Sequence, residues 1–142
     1  MTSNTRRNPG LWFALFLIAG CGSSRPTSPT TDFISLTSIV PAAGTTLNAG
    51  ERVTFTAVVT CTIVNSDGGF AAMVIQDQGN RTLRGEGDIQ PQATLAKGTT
   101  TVTLSQTVTV PVSGSTVTVA LPIFVNESTT TRAVVTRQYT VR

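Results

Sequence analysis

The chain has 142 residues, 39% hydrophobic, 12% charged and only 6% aromatic, with two cysteines and no histidine. Its formal charge is +3, but Arg6 and Arg7 supply two of the ten basic residues, and the eight beyond residue 20 face seven acidic ones, a net of +1. A nearly neutral chain without a Lys/Arg cluster lacks the electrostatic footprint that nucleic acid requires, and without histidine neither a Ser/His nor a Cys/His nucleophile can be assembled.

The first element follows the two arginines. Leu11-Trp12-Phe13-Ala14-Leu15-Phe16-Leu17-Ile18-Ala19 is an apolar run, closed by Gly20 and Cys21. A charged start, a short apolar stretch and a small-residue junction are the three parts of a secretory signal peptide. The run is too short to cross a bilayer, which takes roughly 20 apolar residues.

The order Ile18-Ala19-Gly20-Cys21 resembles the lipobox of bacterial lipoprotein precursors. The resemblance implies that residues 1–20 are cleaved off and that Cys21 becomes the mature N-terminus. It also implies a diacylglycerol on the Cys21 sulfur and an N-acyl chain on its amine. Gly22 lacks the family's inner-membrane retention signal, so the resemblance implies outer-membrane sorting in a double-membraned bacterium. A single acyl chain, at about 0.8 kcal/mol per buried methylene, binds only marginally, whereas two or three make a permanent anchor.

Residues 21–32 carry the lipidated cysteine and a linker. Gly22-Ser-Ser-Arg-Pro-Thr-Ser-Pro-Thr-Thr-Asp32 has no apolar surface to bury and reads as an extended, flexible tether. Fully stretched, its eleven residues reach at most roughly 35–40 Å.

From residue 33 to 142 the pattern is alternation. Val102, Leu104, Val108 and Val110 alternate with Thr101, Thr103, Ser105, Thr107 and Thr109, a half-buried strand. Gln106 breaks the apolar side and is expected to mark a bulge or a crossing between sheets. Val117, Val119, Leu121, Ile123 and Val125 repeat the scheme, and Pro122 restricts that strand to an edge or bulge. In all, about seven strands are expected, near 34–40, 52–64, 70–77, 81–85, 100–110, 115–125 and 132–141. Pro41-Ala42-Ala43-Gly44 opens the first loop, Ser66-Asp67-Gly68-Gly69 reads as a hairpin turn, and Gln78-Gly79-Asn80 as another. Strands at this spacing with one apolar face each predict two antiparallel sheets packed face to face.

Ile39-Val40-Pro41-Ala42-Ala43-Gly44, then Leu47, Gly50, the strand Val53–Val59 and the closing Tyr139-Thr140-Val141 resemble the immunoglobulin-like and fibronectin-III-like modules of bacterial envelope lipoproteins. The resemblance implies an all-β, Ig-like antiparallel sandwich. It departs from antibody domains in having no Cys…Trp…Cys core, since Trp12 lies in the leader, and Tyr139 sits in the last strand rather than at a tyrosine corner.

The search for chemistry returns little. With Cys21 taken by lipid, Cys61 has no disulfide partner and lies on the apolar side of a strand, as a small buried hydrophobe. Asp67, Asp77, Glu86 and Asp88 fall in Gly-rich turns from which a carboxylate pair or a calcium loop can be built, but exposed hairpins use the same residues. Arg81 and Arg84 are interleaved with those acids and read as a solvated loop. Phe124 falls on the polar side of its strand, beside Pro122, and is the one candidate surface contact. The 27 threonines, many as Thr-x-Thr, suit the solvent face of strands.

The expected protein is therefore a lipid-anchored, non-catalytic binding or scaffolding module at the cell envelope. Its lipid is covalent, on Cys21, and neither cofactor nor metal is expected. An envelope protein or glycan is the expected partner class. The alternative reading is an accessory subunit of an envelope or secretion complex that docks through a sheet edge.

Overall fold

The computed structural model describes residues 31–126, 128 and 130–142, and the side chain of Glu86 is outside the description. Among the described residues the strands are β1 (Phe33–Val40), β2 (Arg52–Ala72), β3 (Val74–Asp77), β4 (Gln92–Thr109), β5 (Thr116–Val125) and β6 (Thr131–Thr140), with a 3-10 turn at Glu86–Asp88. Every strand pairing is antiparallel.

The sheet is continuous but folds over on itself. β1, residues 52–63 of β2 and residues 98–109 of β4 form one layer. β3, β5 and β6 form the other, joined by residues 69–71 of β2. Alternation explains the closure, because Phe55, Ala57, Val59, Cys61 and Ile63 turn one way and Val117, Val119, Leu121 and Ile123 meet them. Phe55 and Tyr139 touch edge to face across the two layers, ring centroids 5.1 Å apart. The layers thus set β1 and the long runs of β2 and β4 against β3, β5 and β6, and the fold is an Ig-like antiparallel β-sandwich.

Each open side is closed by a segment that touches both layers. On one side Leu47 bridges Val141 in parallel, its N–H donating to the Thr140 carbonyl at 2.9 Å, and the Tyr139 hydroxyl donates to the Pro41 carbonyl, also at 2.9 Å. On the other, the Leu83 N–H donates to Ile75 of β3 at 2.7 Å while Gln106 of β4 donates to the Leu83 carbonyl at 3.4 Å.

Several expectations are corrected. Residues 81–85 are not a strand: Thr82 makes one isolated bridge to Gln76, and the chain then turns through Gly87 and Asp88 at φ +79° and +56°. Ser66-Asp67-Gly68-Gly69 is no hairpin either. β2 runs on through it, shifting register between Ile63 and Gly68 as it passes from one layer to the other. β2 then stops at Ala72, because the Met73 N–H turns to the Pro91 carbonyl. β4 starts at Gln92, earlier than alternation suggests, and bends at Gly98, whose φ of +100° a side chain would oppose. Gln106 marks no bulge and stays in register with Phe55. Pro122 lies in a central strand, between β6 and the point where β3 ceases and β2 begins to pair with β5. Its missing N–H falls in that change of partner.

Candidate functional site

Cys21, the residues before it and the linker up to residue 30 lie outside the described residues. The described residues open just before β1. There the Asp32 carboxylate accepts the N–H groups of Val64 and Asn65, at 2.7 and 3.1 Å. The Val64 bond, ahead of the other contributions, holds the Asp32 carboxyl below its ordinary pKa. The chain therefore enters the domain at the corner where β2 changes layers.

Asp77 and Asp88 are held by their own loops, and Asp67 lies within β2 rather than in a turn. Asp77 accepts from the Gly79 and Arg81 N–H groups at 2.8 and 2.9 Å and pairs with the Arg81 guanidinium at 3.1 Å. These backbone bonds keep its pKa low. Asp88 pairs with Arg84 at 3.3 Å. Among the described residues no three His, Cys, Asp or Glu side chains converge as metal ligands. Cys61 is fully buried, and desolvation pushes its thiol up to about 11, far from a nucleophile's range.

Phe124 does not stand alone. It is half-buried and stacks on Phe70, centroids 4.8 Å apart and planes 20° from parallel. The two face each other across β2 and β5 on the outer side of their layer, and Pro122 beside them is buried. An exposed apolar neighbour on this face is Val134, 52% accessible. Sequence reading finds Phe124 by its polar-side position but not Phe70, because the pairing depends on β2 running on past Gly69.

Two of the grooves that flank the 81–91 segment lie on its β3 and β4 sides. The larger, about 590 Å³, is walled by Asp77, Arg81, Leu83, Pro111 and Val112, whose charges are already paired. The other, about 340 Å³, is walled by Gly85, Ile89, Pro91, Ser105, Gln106 and Thr107. Gln106 is the buried amide that alternation marked as odd, and its Oε1 has no partner among the described residues.

No protein-family model matches the chain, and no curated protein matches it. Solved structures do. A putative β-galactosidase from Bacteroides fragilis aligns with 78% of this chain at 11% identity and a TM-score of 0.50. This chain spans 16% of that protein's length, so the likeness concerns one module and shows the fold alone. The CARDB domain of a Pyrococcus furiosus protein, in complex with di-metal ions, aligns with 78% of this chain and 90% of its own at 11% identity, TM-score 0.42.

Proposed function

We propose that this chain is a lipoprotein of the bacterial cell envelope, held by acyl chains on Cys21, whose Ig-like domain acts as a non-catalytic binding or scaffolding module. The observation that carries the reading is the unbroken order Ile18-Ala19-Gly20-Cys21 behind an apolar run and two arginines. The absence of an inner-membrane retention signal at Gly22 favours the outer membrane. The partner is an envelope protein or glycan, and the stacked Phe70–Phe124 pair is the aromatic surface such a partner would meet.

Labelling with radioactive palmitate tests the anchor. The full chain should incorporate label and sediment with membranes, and Cys21→Ala should abolish both. Label retained on Cys21→Ala overturns the assignment.

A further inference from the structure

β1, β3, β4 and β6 each have a side that no other strand of the domain takes up. Such an edge is a template for another chain, and folded proteins blunt it with charge, proline, a bulge or cover. Three of the four are blunted. Thr82 and Leu83 cover β3. β6 carries Arg132 and Arg137, and the Arg137 guanidinium donates to the Thr136 carbonyl at 2.7 Å. β1 is short, shifts register between Leu36 and Ser38, and ends at Pro41.

β4 differs. From Gly98 to Thr109 it follows β2 without a register shift, and the run contains no charge and no proline. Its far end is covered, because a Cβ on Gly85 would sit 2.7 Å from the Thr107 carbonyl oxygen. Its near end is Gly98, where the strand bends toward the other layer. Between these limits Thr99, Thr101, Thr103 and Ser105 are exposed. Val110 donates its N–H to Glu51, on the β2 side. Since direction alternates along a strand, the odd-numbered residues of β4 turn their backbone groups outward. Among the described residues nothing pairs with those of 99–105.

We propose that this window pairs antiparallel with the same window of a second copy, about a two-fold axis at Val102. The sequence is self-complementary in that register. Thr101 falls opposite Thr103, Thr99 opposite Ser105, and Val102 opposite itself, so alcohol meets alcohol and no like charges oppose each other. The domain already uses such pairs along the other side of β4: Thr54 with Thr107 at 2.7 Å, Thr60 with Thr101 at 3.1 Å and Thr62 with Thr99 at 2.9 Å. The second copy prolongs that hydroxyl ladder. The ends also fit, since the partner's bend at Gly98 comes opposite Gln106, just before Gly85 closes the edge. The contact is isologous, so it closes on itself and leaves the β4 edge satisfied. The pairing is independent of the lipid anchor proposed above, whose test reads palmitate rather than proximity.

Two differently tagged copies of the full chain, one with Thr101→Cys and one with Thr103→Cys, are co-expressed and oxidised in intact cells. Hydrogen-bonded antiparallel partners have Cα atoms about 5.5 Å apart, within disulfide reach. A disulfide between the two tags should dominate. Thr101→Cys in both copies should crosslink several-fold less, because those residues are offset diagonally by about 7–8 Å. Ser105→Lys added to both copies should remove the crosslink while the thermal melt shows a folded domain. Crosslinking that is equal in the mixed and matched pairs, that survives Ser105→Lys, or that joins the chain to a different protein overturns the proposal.

Discussion

The Asp32 carboxylate accepts the Val64 N–H at 2.7 Å, pinning the first described turn of chain to the corner of β2. Its folded pKa lies below the ordinary 3.8, first because of that bond. A depressed carboxylate stabilises the fold fully above the unfolded pKa and loses its contribution as pH falls through the folded one. Asp32→Ala should cost about 1 kcal/mol at pH 7, below the usual range for charged hydrogen bonds because water screens the site. Melting curves from pH 7 to 2 check it: Asp32→Asn should flatten the acid limb below about pH 4.

Cys61 governs the opposite limb. Desolvation raises its thiol from 9.0 to about 11. A group whose folded pKa is raised contributes stability that is present below the unfolded pKa and is lost as pH climbs to the folded value. Stability should therefore fall between about pH 9 and 11, and Cys61→Ala should lose part of that slope. Tyr139, raised by burial, acts in the same direction from its ordinary 10.0 upward. A thiol reagent at pH 8 should label Cys61 only at the rate of unfolding. Fast labelling of the folded protein would contradict its burial.

Gln106 closes one side of the sandwich through a weak bond and leaves its own Oε1 unpartnered. Gln106→Met keeps the volume, removes the orphan acceptor and releases the Leu83 carbonyl. The losses and gains nearly cancel, so global stability should change by less than about 1 kcal/mol. The local effect should be larger. Trypsin cleavage after Arg84 should accelerate several-fold, because the 81–91 segment loses its tie to β4 while β3 still holds Leu83.

Phe70 and Phe124 stack on an outer face, so their coupling can be separated from the core. A double-mutant cycle with Phe70→Ala and Phe124→Ala should return about 0.5–1.5 kcal/mol of interaction, measured by urea unfolding. If Phe124 also meets an envelope partner, Phe124→Leu should keep most of the stability and still weaken capture of that partner.

Alternation made the core legible: the residues it turned inward on β2 and β5, from Phe55 to Ile123, are the buried ones. The Gln78-Gly79-Asn80 turn was equally readable, since Asn80 donates back to Asp77 at 3.0 Å and tolerates φ +59°. What alternation could not reach was pairing across long separations. Leu83 bonds like a strand residue on both sides, yet the donor to its carbonyl is a side chain, Gln106, twenty-three residues away. The hydroxyl pairs had the same difficulty, because Thr54 and Thr107 join only once β2 and β4 are in register. As for the site, Asp77 and Asp88 read as ordinary loop chemistry and fold that way, whereas Asp67 lies inside β2. Phe124 was visible and its partner was not.

Gly69 shows why the double glycine misled. Gly-Gly after Ser-Asp has the composition of a tight turn, but here it lets two backbones approach while the chain stays extended. Gly69 is paired with Val125, and a Cβ on it would overlap the Phe124 carbonyl oxygen; a Cβ on Gly68 would lie 2.7 Å from the Leu95 carbonyl oxygen. Both obstacles are backbone atoms in paired strands, so neither can swing aside as a side chain would. Gly69→Ala should therefore cost more than about 3 kcal/mol, in the range of severe core disruptions. Gly44→Ala and Gly114→Ala, with open space around them, carry only the strain of φ +84° and +78°, about 1–2 kcal/mol each. Thermal or urea unfolding of the three variants gives the ranking. If Gly69→Ala proves no worse than the other two, β2 does not pass β5 at this distance, and the hairpin reading of Ser66–Gly69 returns.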